Sequence, residues 1–171
     1  VESQPDPPLE ELVGSLVTAV AREWAERELP PPRLVVEPGR ALVSPAGVTL
    51  YRVGAVKRAG DKRYVAIDGG MSDNPRPQLY NALYTAALAE RMGEESAGEF
   101  TIAGKHCEGI ALPEPRRGDL LAVPVTGAYT LAMSSNYNGV PRPAAVLVRD
   151  GQARLILRRE SIEALLAREA E

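Results

Sequence analysis

The chain has 171 residues, 44% of them hydrophobic and 25% charged, with 20 Lys+Arg against 23 Asp+Glu for a formal net charge of −3. That length suffices for one domain with a real core, and that balance is ordinary for a globular protein. The sequence has no basic run or aromatic-interleaved basic stripe, which argues against a nucleic-acid partner, and its longest apolar stretches are far too short to span a bilayer.

Cys107 is the single cysteine, so no internal disulfide is expected, and with the single His106 it cannot build a structural zinc site; no metal is expected. A lone thiol fits a reducing, cytoplasmic compartment. No charged-then-apolar leader precedes the first helix, and the chain begins at Val1 rather than Met. It is therefore expected to be a processed chain or part of a longer one.

Pro5, Pro7 and Pro8 open the chain, with Asp6 positioned to cap a helix. Leu9, Leu12, Val13, Leu16, Val17, Val20 and Trp24 recur at helical spacing, which predicts a helix over about 9–27. Glu10 and Glu11 fall in its first turn, where the macrodipole favours negative charge. Pro30, Pro31 and Pro32 end it, and Leu34-Val35-Val36 reads as a short buried strand over about 34–36. Beyond Arg40 the period becomes strand-like. Residues 49–57 are rich in β-branched and apolar types, with Gly54 as a candidate bulge, and 64–67 is a short apolar run ending at a glycine turn. Residues 79–92 are ambiguous, since their alanines and leucines allow a helix while Tyr80 and Tyr84 suit a strand edge. Residues 100–102 and 120–125 are further strands. Asp150-Gly151 between the apolar runs 144–149 and 152–158 predicts a hairpin. Ile162, Leu165 and Leu166 close the chain at helical spacing. The pattern predicts a mainly β fold with flanking helices, a β-barrel or sandwich with an α/β remnant in front.

Five segments are candidates for chemistry. In Asp68-Gly69-Gly70-Met71-Ser72-Asp73-Asn74-Pro75-Arg76-Pro77-Gln78-Leu79-Tyr80, glycines and prolines build a stiff loop around Arg76 and Tyr80. A rigidly held guanidinium suits bidentate capture of a carboxylate, although a tight connection with a solvated arginine has the same composition. Glu37-Pro38-Gly39-Arg40 combines close backbone approach at Gly39 with a permanent charge at Arg40, and also describes a solvated turn. In Gly104-Lys105-His106-Cys107-Glu108 the thiol is either a small buried hydrophobe or, beside Lys105 and His106, one of lowered pKa. Gly127-Ala128-Tyr129 and Ser134-Ser135-Asn136-Tyr137-Asn138-Gly139 supply a tyrosine after a strand-closing glycine and a polar turn.

In this order, the segments Glu37–Arg40, Asp68–Tyr80, Gly104–Glu108, Gly127–Tyr129 and Ser135–Asn138, with the ending Arg158-Arg159-Glu160-Ser161-Ile162-Glu163, resemble the C-terminal half of the diaminopimelate decarboxylase family. These are pyridoxal 5′-phosphate enzymes of the alanine-racemase-like group, fold type III, with a (β/α)₈ barrel, a C-terminal β-domain, and head-to-tail homodimers that share active sites. The resemblance implies that residues 1–40 are the last helix and strand of the barrel, 41–158 the β-barrel or sandwich domain, and 159–171 a closing helix. The family's cofactor-binding lysine, barrel histidine and glycine-rich phosphate loop have no counterpart here, so the 171 residues alone are expected to be inactive. Several residues that the family carries between its Cys-Glu pair and the Leu-Pro turn also lack a counterpart, since Glu108 runs at once into Gly109-Ile110-Ala111-Leu112-Pro113.

The implied reaction is decarboxylation of meso-2,6-diaminopimelate to L-lysine, the last step of lysine biosynthesis. By resemblance, Arg40, Arg76 and Tyr80 hold the carboxylate at the non-reacting end of the substrate. Cys107 comes from the partner subunit as the proton donor, Glu108 contacts the distal ammonium, and Tyr129 reaches substrate and cofactor. Gly39 and Arg40 stand at the cofactor's phosphate end, and Glu37 also belongs to the cofactor-binding set. One rival on the same fold is an ornithine- or arginine-type decarboxylase. Those enzymes carry Asp after the cysteine and lack the Asn-Pro-Arg-Pro loop. The other is a non-catalytic dimerising β-domain, expected if the 171 residues are the whole protein.

Overall fold

A computed structural model describes residues 8–104, 107–167 and 169, and of residues 107–109 the backbone alone. Asp6, Lys105 and His106 lie outside the described residues. The chain divides into two compact units, residues 1–38 and 39–171.

In the first unit, helix α1 spans Leu9–Glu26. Its N-cap is Pro8, which contributes no side-chain bond, so the first turn relies on Glu10 and Glu11 against the macrodipole. At the far end Arg27 Nη1 donates to Glu23 Oε2 at 2.6 Å, Glu28 turns left-handed at φ 54°, and the three prolines prevent continuation. The strand expected over 34–36 does not form, and Val35 is 71% exposed. A strand exists only as one side of a hydrogen-bonded ladder, and the described residues of this unit offer no second strand. The same applies to α1: its spacing makes an apolar stripe, yet no residue of the helix is buried.

The second unit opens with a short helix α2 (Gly39–Val43) and a 3₁₀ turn (Ser44–Ala46), neither anticipated from the sequence. Then follow β1 (Val48–Ala59), β2 (Lys62–Ile67), the one-turn helix α3 (Arg76–Tyr80), β3 (Ala87–Leu88), β4 (Glu99–Ala103), β5 (Cys107–Ala111), β6 (Leu120–Pro124), β7 (Ala145–Arg149), β8 (Gln152–Leu157) and α4 (Ile162–Leu166). Six strands form one sheet in the order β3-β6-β1-β2-β4-β5, while β7 and β8 form a separate hairpin.

The long strand β1 serves two partners. Val48–Arg52 pairs antiparallel with β6, and Val53–Ala59 pairs antiparallel with β2. Its register with β2 slips between Val53 and Ala55, so Gly54 is a bulge. Strand β2 then pairs in parallel with β4. The core forms on one face of this bent sheet: Tyr51, Val53, Val65, Leu88, Phe100, Ile102, Leu112, Leu121 and Val123 are buried. Alternation along β1, β4 and β6 delivers these side chains to one side. Phe100, fully buried, anchors that face, and its truncation to Ala would cost about 3–5 kcal/mol.

The ambiguous 79–92 segment resolves by division. Helix α3 stops at Tyr80 because Asn81 takes a left-handed φ of 51°, and the chain returns to the sheet as β3. Asp150 and Gly151, at φ 49° and 72°, form the predicted hairpin turn. Ser161 caps α4, its Oγ accepting from Ala164 N at 3.1 Å.

Candidate functional site

The glycine-rich loop after β2 is fixed from below by an aspartate. Asp73 Oδ1 accepts from Gly70 N at 2.8 Å and Ser72 Oγ at 3.2 Å, and Oδ2 accepts from the Tyr51 hydroxyl on β1. Burial first, then the neighbouring Asp73 carboxylate, pushes the Tyr51 phenol far above its usual value, so it remains a donor at every physiological pH. Gly69 is required here because a Cβ would overlap the Tyr51 ring. Asn74 is buried, and its Oδ1 has no partner among the described residues.

This anchored loop hands the chain to α3. Arg76 begins that helix between Pro75 and Pro77, and Tyr80 ends it. The two are spaced i, i+4, so they share one face of a single turn. Arg76 is half-buried. Its Nη1 donates to the Tyr84 hydroxyl at 3.2 Å, and its guanidinium lies 6.0 Å from the centre of the Tyr129 ring. Among the described residues no carboxylate stands within ion-pair distance of it.

A second wall comes from the turn after β6. Ser44 Oγ donates to Val125 O at 3.0 Å, Gly127 N donates to Ser44 O at 3.0 Å, and Thr126 N donates to Gly47 O at 3.0 Å. These bonds press the 3₁₀ turn that follows α2 against residues 125–127. Arg40, exposed on α2, is one turn upstream of that contact, and Tyr129 is two residues downstream. A Cβ on Gly127 would overlap the Val43 carbonyl. Tyr129 itself adopts φ 59°, a conformation that tyrosine rarely takes, and is 52% exposed. Its ring and hydroxyl therefore stand outside the core.

The polar turn at 134–139 is tied to the first loop, since Ser135 N donates to Ser72 O at 2.7 Å. Asn136 and Arg142 N, the latter at 3.0 Å, both donate to Glu160 Oε2. The backbone N–H of Arg142, then the Asn136 amide, holds the Glu160 carboxyl below its ordinary range.

The structure thus brings together Arg76 and Tyr129, puts Tyr80 on the face of Arg76, and packs the segment carrying Arg40 against the turn that carries Tyr129. Glu37 belongs to the other unit. Cys107 and Glu108 begin β5 opposite Ala103 and Ile102, and their side chains lie outside the described residues. Sequence reasoning missed Tyr84 as a partner of Arg76, and Tyr51 and Asp73 as the loop's anchor. Sequence spacing carried no signal for Tyr84, because the left-handed Asn81 ends the helix between it and Arg76.

Residues 35–127 match the family described as "Pyridoxal-dependent decarboxylase, C-terminal sheet domain". Among curated relatives, the diaminopimelate decarboxylase of Actinosynnema pretiosum is 55% identical over 88% of this chain and 36% of its own length. That of Synechocystis is 48% identical over 96% of this chain and 37% of its own. The solved diaminopimelate decarboxylase of M. jannaschii superposes with a TM-score of 0.83 at 29% identity, covering all of this chain and 40% of that one. A second solved diaminopimelate decarboxylase gives 0.79 at 37% identity over 96% and 44%. The chain therefore spans about two-fifths of the length of the relatives it matches.

Proposed function

Because this chain belongs to the pyridoxal-dependent decarboxylase C-terminal sheet domain family, we propose that it is the sheet-domain portion of a cytoplasmic diaminopimelate decarboxylase. The reaction removes CO₂ from the D-centre of meso-2,6-diaminopimelate and leaves L-lysine. The observation that carries this reading is Arg76: a half-buried guanidinium held by a phenol and an aromatic ring, with no carboxylate beside it among the described residues. Such a group is a receptor for an external carboxylate.

In this reading Arg76, Arg40 and Tyr80 grip the carboxylate of the L-centre, which does not react. Two guanidiniums and a phenol satisfy most of its lone pairs. The grip fixes the distance from the far end to the reacting carbon and so replaces lost translational freedom with pre-set geometry. Glu108 accepts from the L-centre ammonium and so selects its stereochemistry. Cys107, contributed by the partner subunit of a homodimer, delivers the proton that replaces CO₂.

The donors near Tyr129 fit pyridoxal 5′-phosphate: a phenol outside the core, on a turn whose close packing requires Gly127. Tyr129, Gly39 and Arg40 would hold its phosphate end. When bound, the cofactor supplies the electron sink for the carbanion that decarboxylation creates.

The following measurements test the reading. The gene upstream of Val1 should encode a barrel with a cofactor lysine, and the purified protein should have the matching intact mass and a visible-edge absorbance band. A start codon at this position, with no such band, would leave a dimerising β-domain instead. In the full-length enzyme, meso-diaminopimelate should be consumed while ornithine and arginine are not. Cys107→Ala should lower kcat far more than substrate affinity, and equal loss of both would assign the thiol to packing.

A further inference from the structure

We infer that Tyr84 is the positioning residue for Arg76, and thereby sets the preference for ligands that carry the distal carboxylate. The inference rests on the reading of Arg76 given above.

An arginine side chain loses considerable rotamer freedom when it closes on a ligand, and that cost is avoided if the protein has already ordered it. Tyr84 is built to do so. It is half-buried and lines a hollow of ≈ 50 Å³ together with Tyr51, Asn74 and Pro77. The ring packs against the hydrophobic core. Its hydroxyl therefore has a fixed position, and from there it accepts the Arg76 Nη1 hydrogen. The phenol is neutral, so it orients the planar fork without neutralising it. A carboxylate in the same place would cancel the charge that the ligand must find. Tyr51 secures the same loop three residues earlier, through Asp73. Two phenols that line one hollow thus tie down the Asp73 side chain of the preceding loop and the Arg76 fork.

The experiment uses the full-length, cofactor-loaded enzyme and two probes, L-lysine and cadaverine, which differ by the carboxylate. Calorimetric titration of Tyr84→Phe should give an L-lysine affinity reduced about tenfold, the size expected of one hydrogen bond to a charged group. Cadaverine affinity and melting temperature should stay unchanged. With meso-diaminopimelate, KM should rise by a similar factor while kcat stays within about twofold. In an Arg76→Ala background, Tyr84→Phe should have no further effect on L-lysine. If Arg76→Ala weakens L-lysine selectively and Tyr84→Phe does not, the inference about Tyr84 fails alone. If Arg76→Ala leaves the preference for L-lysine over cadaverine intact, the reading of Arg76 fails. Parallel loss of both probes with a lowered melting temperature makes Tyr84 a packing residue and overturns the proposal.

Discussion

Two arginines of the sheet unit, Arg91 and Arg76, are both withdrawn from solvent, and their surroundings differ in kind. Arg91 follows β3 and is 16% exposed. Its Nη2 donates to Asp119 Oδ2 and to Glu114 O at 3.1 Å, and its Nη1 to Glu94 Oε2 at 3.1 Å. The Asp119 hydrogen bond drives its protonation still further up. Arg116 N also donates to Asp119 at 2.7 Å, so the whole corner is a closed network of compensated charge. Among the described residues Arg76 has instead a phenol and a ring, neither of which carries a negative charge. The contrast is electrostatic: Arg91 is neutralised by its own protein, whereas under the proposed function Arg76 is oriented by neutral groups and keeps its charge for a ligand.

The largest expected effect that would break this contrast is at Arg76. Arg76→Lys in the full-length enzyme should raise KM for meso-diaminopimelate by about a hundredfold, roughly 2.7 kcal/mol, because an ammonium cannot form the planar fork. Unchanged steady-state kinetics would make Arg76 as structural as Arg91. Next comes the wall that brings Tyr129 to Arg76. Gly127→Ala forces a Cβ into the Val43 carbonyl, and chemical denaturation should register a loss of about 1–3 kcal/mol. A wild-type denaturation midpoint would show that this packing yields. Arg91→Met should lower Tm by several degrees, since Asp119 loses its charged partner, and leave L-lysine affinity unchanged by calorimetry. A selective loss of L-lysine binding would erase the distinction between the two corners.

The smallest effect concerns acid. Glu160 titrates below the ordinary 4.5 in the folded state, held there first by the Arg142 N–H and then by Asn136. A depressed folded value means that the contribution is complete above the ordinary pKa and disappears as pH falls through the folded one. Glu163 shifts in the same direction through its own backbone N–H and Ser161. Melting temperatures measured downward from pH 5 should therefore fall, and Glu160→Gln should shallow that fall. Identical pH profiles for the two proteins would mean that the bonds to Arg142 and Asn136 are not maintained in solution.

Much of this chain was determined by its sequence. Helical spacing determined α1, β-branched runs determined β1, β2, β4 and β6, and Asp-Gly determined the β7–β8 turn, because each signal acts between residues close along the chain. Gly54 was readable as a bulge for the same reason. The ordered motifs pointed to the family, and Arg76 and Tyr80 stood out within a loop whose glycines and prolines restrict its freedom. Other features required the tertiary structure. Leu34-Val35-Val36 has every local mark of a strand and lacks one, since pairing needs a neighbour that local pattern does not supply. The parallel register of β2 with β4, the pressing of α2 and its following turn against residues 125–127, and the choice of Tyr84 and Tyr129 as neighbours of Arg76 all join residues far apart in sequence or across a turn. Side-chain chemistry announces that a guanidinium is present. Whether it meets a carboxylate or a phenol is decided only when the sheet bends and its loops close on one another.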